Sequence, residues 1–349
     1  MILAGRVSTK NSTKTKHSNV IMTDLHQLGW DNYQENCNPD LGSGFLGRVR
    51  RVDRGEVDVV TEMGDIRALS DSQRTSVSTA PATGDWVEIR EDPDMGFLVE
   101  RVLPRYSSIV RRDPAELEQA QVMVSNIDLV GIISSADRPI NIARIERFLI
   151  LAENSQAEAI LLLTKQDLGI PEEWGSVIKD FPEIRSIETS VIDGSGIAKI
   201  QNFIAPSQTL VLLGESGIGK SSLVNLLMGK EVQETSEVRL GDKKGRHTTV
   251  ARELLTIPTG GILIDTPGIR GVGLWDAEEA LDRVFVEIST EAQRCRFKDC
   301  THTAEPECAV IDAVNDGTLD QNKLSRYLRL REELQEQAEK RNLQRRKSR

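Results

Sequence analysis

A glycine-rich loop carries the residues with the clearest chemical potential, because it could hold the phosphates of a nucleotide. The pattern G-x-x-x-x-G-K-[ST] is matched without a mismatch by the run from Gly214 to Ser221. Glycines let successive backbone N–H groups converge on phosphate oxygens, which larger side chains would obstruct. Lys220 would neutralise the β- and γ-phosphates, and the Ser221 hydroxyl would ligate Mg²⁺. The residues expected to contact the nucleotide here are Gly214, Glu215, Ser216, Gly217, Ile218, Gly219, Lys220, Ser221 and Ser222.

Two segments downstream of this loop could complete a site for Mg²⁺ and the γ-phosphate. After an apolar run comes Asp265-Thr266-Pro267-Gly268, in which Asp265 would reach Mg²⁺ through water and the Gly268 amide would sense the γ-phosphate. Between the two motifs, a polar stretch contains Gly245-Arg246-His247-Thr248-Thr249. A switch segment would close one threonine over Mg²⁺ only when a γ-phosphate is present. We favour Thr249 over Thr248 as that ligand, although an ordinary polar loop is the alternative.

A base-recognition motif lies upstream of the phosphate loop. The run Thr164-Lys165-Gln166-Asp167 follows an apolar strand and fits [NT]-K-x-D. The Asp167 carboxylate could accept hydrogen bonds from guanine N1–H and its 2-amino group, which adenine does not offer. Lys165 would lie along the base plane, and the amide of the Thr189-Ser190-Val191 loop, at Ser190, would meet the guanine carbonyl. Ordinary GTPases carry this motif after the phosphate loop, so the order found here predicts a circularly permuted GTPase.

A cluster of cysteines near the end of the chain could bind a metal. The spacing C-x₄-C-x-H-x₅-C is formed by Cys295, Cys300, His302 and Cys308. Three thiolates and an imidazole match a closed tetrahedral Zn²⁺ site, which would be structural because four protein ligands leave no position for water. The alternative is a group of reduced cysteines beside a surface histidine. Cys37 lies far away in sequence and is expected to be an incidental thiol.

The pattern of residue types along the chain predicts a polar N-terminal segment followed by a β-barrel. Residues 1–40 are expected to be poorly ordered, with one short helix at Leu25–Trp30, and translation could begin at Met22 instead of Met1. Residues 41–112 hold short β-rich runs separated by glycine or charged turns, which predicts an OB-type barrel. The predicted strands are Phe45–Val52, Val57–Thr61, Asp65–Leu69, Trp86–Glu91 and Phe97–Leu103.

An α/β domain and a helical module are predicted after the barrel. Residues 113–274 alternate apolar strands with helices, which indicates a parallel sheet covered on both faces. The predicted elements are strands Asp128–Ser134, Ala159–Leu163, Thr209–Leu213 and Ile262–Ile264, a helix at Ile142–Asn154 and another at Ser222–Met228. Residues 275–349 are predicted to be mostly helical around the cysteine cluster. They would end in a long charged helix from Asp320 to about Lys347.

Composition excludes several classes of protein. The chain has 349 residues, 38% hydrophobic and 28% charged, and no apolar run is long enough to span a bilayer. The cysteines do not form a secreted disulfide framework and no secretory signal follows Met1, so a cytoplasmic compartment is expected. A net charge of −10 means that any nucleic-acid contact must depend on local basic clusters.

The barrel could supply such a cluster. Arginines at alternating strand positions would share a face that contacts the phosphates of a nucleic acid, and a solvated surface is the alternative. The candidates are Arg48, Arg50, Arg51, Arg54, Arg101, Arg105, Arg111 and Arg112. The basic end of the last helix is a second candidate, for which an ordinary soluble helix terminus is equally consistent.

These residues together resemble the RsgA (YjeQ/YloQ) family of small-ribosomal-subunit-dependent GTPases. The resemblance rests on the OB-like module, on GESGIGKSS, GRHTT and DTPG in permuted order, and on the C-x₄-C-x-H-x₅-C module. It implies a late-acting assembly factor that binds the 30S ribosomal subunit and 16S rRNA, hydrolyses GTP to GDP and phosphate when docked, and helps to release another maturation factor. The implied ligands are GTP or GDP, Mg²⁺ and one structural Zn²⁺. We expect no membrane partner and a monomer.

The chain departs from the family pattern at the guanine motif and after D-x-x-G. Thr164 stands where Asn is frequent, and Asn braces the phosphate loop through an amide that Thr can replace only partly. Ile269 follows Gly268, so no glutamine at that position orients the attacking water. The resemblance implies that His247 positions this water on the ribosome, while a surface switch histidine is the alternative. The predicted catalytic residues are therefore His247, Lys220 and Thr249.

Two other functions fit parts of the sequence. In one, GTP merely controls docking of an RNA-binding switch, and the ribosome does not accelerate hydrolysis. In the other, the protein is a P-loop ATPase or kinase in which T-K-x-D occurs by chance.

Overall fold

The computed structural model describes residues 23–71, 79–112, 120–231, 252–266 and 274–347. Within these ranges a small β-barrel is followed by an α/β sheet and then by a set of helices. None of the helices in the described ranges has the length and apolarity needed to cross a bilayer.

The barrel closes in the strand order β1-β2-β3-β5-β4. Adjacent strands are antiparallel except for the parallel contact between β3 and β5, at Leu69 and Leu98. Side chains such as Val49, Val57 and Ile89 fill its interior. This architecture confirms the predicted OB-type barrel, and each observed strand lies within about one residue of its predicted bounds. The strands are β1 (Phe45–Val52), β2 (Glu56–Thr61), β3 (Gly64–Leu69), β4 (Trp86–Asp92) and β5 (Gly96–Val102).

The segment before the barrel is packed instead of poorly ordered over its described part. A short 3-10 helix at Leu25–Leu28 leads through Gly29, whose φ is 87°, into α1 (Trp30–Cys37). Trp30 contacts the ring of Trp86 in the barrel at 4.8 Å between centroids. The predicted short helix at Leu25–Trp30 is present as the 3-10 helix Leu25–Leu28. The expectation of poor order is wrong for residues 30–37, where burial of aromatic side chains outweighs the polar composition of the segment.

A two-stranded ribbon connects the barrel to the sheet. It consists of β6 (Ser108–Arg112) and β7 (Ala120–Ser125), which pair antiparallel. The predicted boundary between residues 112 and 113 falls between these two strands. The proposed domain limits at residues 40, 112 and 274 stay predictions.

The nucleotide-binding region is built on a six-stranded sheet in the order β10-β9-β8-β11-β13-β12. All neighbouring pairs in it are parallel except β12 and β13. Every residue of β8 and β11 is buried, as a central parallel strand requires. The strands are β8 (Leu129–Ser135), β9 (Glu158–Thr164), β10 (Arg185–Glu188), β11 (Thr209–Leu213), β12 (Glu253–Thr256) and β13 (Ile262–Asp265).

Helices cover both faces of this sheet. One face packs with Phe148 of α2 and Leu281 of α6, and the other with Ile200 of α4 and Leu223 of α5. This arrangement confirms the predicted α/β domain with a doubly covered sheet. The helices in and beside the sheet are α2 (Ile142–Ser155), α3 (Glu172–Asp180), α4 (Ile197–Phe203) and α5 (Lys220–Met228).

The C-terminal region is helical, as predicted, and it is fastened to α2 of the sheet region by ion pairs. Arg326 lies 2.8 Å from the fully buried Glu146 carboxylate, and Arg147 pairs with Glu333 at 2.5 Å. The predicted long helix from Asp320 is present, beginning one residue later. The helices are α6 (Glu278–Val284), α7 (Val286–Ala292), α8 (Ala309–Asn315) and α9 (Gln321–Lys347).

Arg48 joins the barrel to the sheet. Its side chain is 1% exposed, and its guanidinium donates to the Asn126 carbonyl at 2.9 Å and to Thr209 Oγ1 at 2.9 Å. It also donates to the carbonyls of Leu28 and Gly84. Arg48 is buried, so the prediction that it lies on a solvent-exposed face is wrong. A buried guanidinium needs hydrogen-bond acceptors, and backbone carbonyls of three segments supply them here.

Candidate functional site

The carboxyl ends of the parallel strands bring the predicted nucleotide-binding segments to one edge of the sheet. Neighbouring positions there are Ser135 and Thr164 across β8 and β9, and Ile132 and Leu213 across β8 and β11. Asp265 is the last residue of β13, and β13 pairs with β11 on the side of β11 that faces away from β8. Open parallel sheets bind ligands at this edge, so the topology unites motifs that are far apart in sequence.

The phosphate loop runs from the end of β11 to the start of α5. Gly217 and Gly219 have φ values of 74° and 101°, a region that residues with a Cβ rarely occupy. Ile218 between them is 4% exposed and packs into the apolar cluster under α5. A buried side chain thus anchors the centre of the loop while its glycines set the turn.

Lys220 lies within the loop at the first position of α5. The side chain is buried, and its ammonium donates to the carbonyls of Gly214 at 3.0 Å and Glu215 at 3.3 Å. The ammonium and the N-terminal end of α5 place positive charge at the same point, which suits a phosphate. Ser221 and Ser222 follow on this first turn and are half-buried.

Asp265 is 5% exposed at the end of β13. Burial raises the pKa of this carboxyl, and the nearby Lys220 ammonium opposes part of the effect. Thr266 next to it donates to the Leu212 carbonyl at 2.9 Å, which ties the D-x-x-G segment to β11. The other predicted residues of the γ-phosphate side, His247, Thr248, Thr249 and Gly268, lie outside the described residues, as does Ile269.

The two predicted base-contact segments meet through their side chains. Ser190 is fully buried, and its hydroxyl donates to Asp167 Oδ1 at 2.6 Å while accepting from the Ile192 amide at 3.1 Å. Asp167 itself is exposed and can be approached by a base. The sequence predicted only a backbone contact for Ser190, and the structure adds a side-chain hydrogen bond from Ser190 to the carboxylate of Asp167, the predicted guanine contact.

Thr164 contacts the phosphate loop directly. Its buried Oγ1 lies 2.8 Å from the Ile218 carbonyl and 3.1 Å from the Ser134 carbonyl. A hydroxyl has a single hydrogen, so Thr164 can donate to only one of these acceptors at a time. Thr164 thus contacts the loop through one hydroxyl, and the expectation that Asn would brace the loop more fully stays a prediction.

Lys165 is positioned by an aspartate that the sequence analysis did not single out. Lys165 has a left-handed backbone, with φ of 59°, and its ammonium lies 2.5 Å from Asp137 Oδ2. Burial raises the pKa of Asp137, but the hydrogen bonds from Lys165 and Arg138 outweigh it and hold the pKa below its usual range. Asp137 and Arg138 come directly after β8, and a charged pair at that strand end is a signal that could have identified them.

The predicted metal ligands converge in the helical region. The ligand atoms of Cys295, Cys300, His302 and Cys308 all lie within 4.8 Å of one another. Cys295 Sγ lies 3.8 Å from Cys308 Sγ and 3.6 Å from His302 Nδ1. A tetrahedral Zn²⁺ with metal–sulfur bonds of about 2.3 Å would separate its sulfur ligands by about 3.8 Å, so the four residues fit this ion.

Surrounding residues favour the neutral imidazole of His302, the form that binds a metal. Burial lowers the pKa of His302, and the nearby Arg331 guanidinium lowers it further. Arg331 of α9 also donates to the Thr301 carbonyl, between two of the ligands. The last ligand, Cys308, immediately precedes α8, so a bound ion would connect the segment after α7 to the start of α8.

Four of the eight arginines proposed for rRNA contacts are paired with acids of the barrel. Arg105 lies 2.6 Å from the buried Asp85, and Arg101 lies 2.9 Å from Glu88. Arg50 pairs with Asp65 and Arg51 with Asp53. Arg54 is exposed, and no ion pair with another described residue involves its side chain. The side chains of Arg111 and Arg112 lie outside the described part of the chain.

Family comparisons agree with the permuted arrangement. A family model described as RsgA GTPase matches residues 102–275, and one described as a 50S ribosome-binding GTPase matches residues 209–344. The second match begins at Thr209, the first residue of the strand that enters the phosphate loop. The crystal structure of YjeQ from Thermotoga maritima is similar, with a TM-score of 0.58 and 27% identity, covering 83% of this chain and 98% of that one. A structure of YloQ, described as a circularly permuted GTPase, has a TM-score of 0.58 at 23% identity over 84% of this chain and 96% of its own, which supports the fold alone.

Curated relatives are similar over most of their length. The small ribosomal subunit biogenesis GTPase RsgA of Streptomyces avermitilis is 40% identical over 325 residues, which cover 89% of this chain and 86% of the relative. The protein of that name from Leptospira interrogans is 39% identical over 316 residues, covering 89% and 88%. With the phosphate loop, the guanine motif and the cysteine cluster all in place, the chain is a GTPase and belongs to the RsgA family of small ribosomal subunit biogenesis GTPases.

Proposed function

We propose that this protein is a late-stage assembly factor of the 30S ribosomal subunit, which stimulates its GTP hydrolysis. The observation that carries the proposal is the meeting of Asp167, Ser190 and the phosphate loop at one sheet edge, in a chain whose relatives carry the name of small-subunit biogenesis GTPases. Binding to the 30S subunit would place the protein in the cytoplasm, and we expect the protein to act there as a monomer. Hydrolysis there would help to release another maturation factor.

Asp167 would recognise guanine. Its Oδ1 is oriented by the Ser190 hydroxyl, and its exposed position leaves room for the N1–H and 2-amino donors of the base. Lys165 would lie along the base plane with its ammonium retained by Asp137. An adenine would leave the Asp167 carboxylate without these donors, and this penalty would provide the selectivity for GTP.

Lys220 and the loop amides would bind the phosphates and stabilise the charge that develops during transfer. Mg²⁺, when bound, would neutralise the β- and γ-phosphates, with Ser221 and Thr249 as its protein ligands and Asp265 reaching it through water. The buried position of Asp265 beside Lys220 suits this second-sphere role. Gly268 would sense the γ-phosphate.

His247 would position the attacking water when the protein is docked on the subunit. Replacing His247 with alanine should reduce 30S-stimulated turnover and leave GDP affinity nearly unchanged. Unaltered stimulated turnover in this variant would remove His247 from the mechanism.

The decisive experiment measures GTP turnover while purified 30S subunits are added, with 50S subunits as the control. We expect acceleration by 30S subunits only. Tight, nucleotide-dependent docking without acceleration would instead favour the RNA-binding switch.

A second experiment tests the base specificity. The variant Asp167→Asn should lose affinity for GTP and gain affinity for xanthosine triphosphate, because the amide can donate to the additional carbonyl of xanthine. Unchanged GTP and ATP affinities would favour a P-loop ATPase or kinase. Ser190→Ala is a matched variant that should weaken GTP binding without changing the preferred base.

The proposed rRNA contact would use the residues that remain available on the barrel and the basic end of α9. Arg54 is the exposed barrel candidate, while Arg50, Arg51, Arg101 and Arg105 have acidic neighbours. Phosphate contacts release counterions, so 30S affinity should fall as salt is raised. Salt-insensitive association would contradict this part of the proposal.

A further inference from the structure

Two arginines, one beyond the end of β8 and one in the first turn of α2, contact the phosphate loop. Arg138 Nη2 donates to the Gly217 carbonyl at 3.1 Å, and its Nη1 lies 3.7 Å from Glu215 Oε2. Arg144 pairs with the other oxygen of the Glu215 carboxylate. The outer side of the loop therefore carries side-chain contacts to the segment between β8 and α2.

The same segment also contacts the guanine motif. Arg138 Nε donates to Asp137 Oδ1 at 3.1 Å, while Lys165 Nζ lies 2.5 Å from Asp137 Oδ2. Each oxygen of this carboxylate thus serves a different cation. A continuous chain of contacts runs from Lys165 through Asp137 and Arg138 to Gly217.

These contacts have a consequence for the amides of the loop. In a trans peptide the carbonyl of one residue and the N–H of the next point in opposite directions. Because Arg138 holds the Gly217 carbonyl and Thr164 holds the Ile218 carbonyl, the N–H groups of Ile218 and Gly219 are directed away from those two side chains. Converging N–H groups of this kind form the anion-binding concavity of a phosphate loop.

We propose that Asp137 and Arg138 are positioning residues of the nucleotide site, which fix the phosphate loop to the guanine motif and compensate for threonine at position 164. This inference rests on the proposed guanine-nucleotide site. The Thr164 hydroxyl has a single hydrogen, and both of its acceptors are other carbonyls, those of Ser134 and Ile218. The hydrogen bond to the Gly217 carbonyl must therefore come from another side chain. Arg138 supplies that support from the neighbouring strand end, through a donor whose charge is permanent.

The test is GDP affinity, measured by calorimetry on the full chain in the presence of Mg²⁺. Arg138→Ala should raise the Kd for GDP about fivefold, as loss of a half-exposed charge-assisted hydrogen bond predicts. Arg138→Lys should have a Kd for GDP between those of the wild type and Arg138→Ala, because an ammonium can reach Asp137 or Gly217 but cannot bridge both. Arg90→Ala is the matched control, because Arg90 is an exposed arginine paired with Asp92 on the barrel.

A double-mutant cycle separates compensation from general stabilisation. If Arg138 takes over a bracing role, its removal should cost about fivefold in GDP affinity with Thr164 present but less than about twofold after Thr164→Asn. An equal cost in both backgrounds would overturn the proposal. So would an unchanged Kd in both Arg138 variants, whatever happens to the melting temperature of the nucleotide-free protein.

The same titrations distinguish this inference from the proposed function. Wild-type protein that binds GDP selectively, together with Arg138 variants that bind equally well, would overturn the inference and leave the GTPase assignment intact. Wild-type protein with no preference for GDP over ADP would overturn both.

Discussion

The nucleotide site and the cysteine cluster are built in opposite ways. Residues from Asp137 to Asp265, on the ends of several strands, form the nucleotide site, and backbone carbonyls and amides make many of its contacts. The cluster is formed by four side-chain atoms within residues 295–308. A site assembled from many backbone contacts should weaken residue by residue, whereas a site of four ligands should fail when one is removed. Zinc content and GDP affinity, measured on each variant below, test this contrast.

The largest effect is expected at the cluster. Cys308→Ala should reduce bound zinc from one ion per chain to nearly none and make the segment between α7 and α8 susceptible to protease. Structural zinc contributes on the order of 10 kcal/mol to the folding of small zinc modules, so little of the local fold should survive its loss. Emission spectrometry and limited proteolysis measure the two outcomes.

Cys37→Ala is the control for this variant, since Cys37 is remote from the cluster and should not alter zinc content. Full zinc occupancy in Cys308→Ala would contradict the four-ligand site. A GDP affinity that collapses together with the zinc would contradict the independence of the two regions.

The second effect concerns the phosphate loop. Lys220→Ala should lower GTP turnover by about 10²- to 10³-fold, because it removes the charge that stabilises the transferring phosphoryl group. Zinc content should remain at one ion per chain. Lys230→Ala, which alters an exposed lysine just beyond α5, is the control and should retain turnover. Residual turnover near the wild-type level in Lys220→Ala would show that the loop is not the site of phosphoryl transfer.

The third effect tests how the nucleotide region is supported. Arg48→Met should lower the free energy of unfolding by about 3 kcal/mol, because the buried carbonyls of Leu28 and Asn126 lose their donor. Arg48 also contacts Thr209, the first residue of the strand that enters the phosphate loop, so GDP affinity should fall modestly. Urea unfolding and GDP titration measure these changes, and Arg54→Met is the exposed control. Loss of zinc in Arg48→Met would contradict the independence of the nucleotide site and the cysteine cluster.

The smallest effect lies on the cluster side. Burial raises the pKa of Tyr327 to about 12, and the neighbouring Asp282 carboxylate contributes to the shift. A raised folded-state pKa means that this contribution to stability is complete below the unfolded pKa of about 10 and is lost as the pH rises through about 12. Tyr327→Phe should cost about 1 kcal/mol at pH 8, where the hydrogen bond to Asp282 is intact, and less at pH 11. Urea unfolding at both pH values measures this, and a cost that is larger at pH 11 would contradict the assignment.

Much of the fold could be predicted from the sequence. The strands that precede the two nucleotide motifs are uninterrupted apolar runs, and β11 has the predicted bounds, Thr209–Leu213. The barrel strands were equally recognisable from their turns. Helix α1 was missed because its apolar residues, Trp30 and Tyr33, are stabilised by contact with Trp86, which is distant in sequence. Local composition does not contain that information.

The site was predictable where a motif has fixed spacing and less so where it depends on neighbours. The ligand spacing around Cys295 and the pattern around Lys220 predicted roles with which their positions in the structure are compatible. The burial of Arg48 was not predictable, since its position in a strand is equally compatible with a solvent face. Asp137 and Arg138 were missed because they belong to no motif of fixed spacing. Their place just beyond a predicted strand was the available signal, and their contacts with Lys165 and Gly217 follow from strand order in the sheet.

In this chain the D-x-x-G segment is followed directly by the C-terminal helical region. The polypeptide leaves the sheet at Asp265 and its next described helix is α6, the first helix of the region that carries the cysteine cluster. The only covalent tether between the γ-phosphate side and this region is therefore the stretch of chain between Asp265 and Glu278. The ion pair between Arg326 of α9 and Glu146 of α2 adds a side-chain connection between the C-terminal helices and the sheet region to this covalent one.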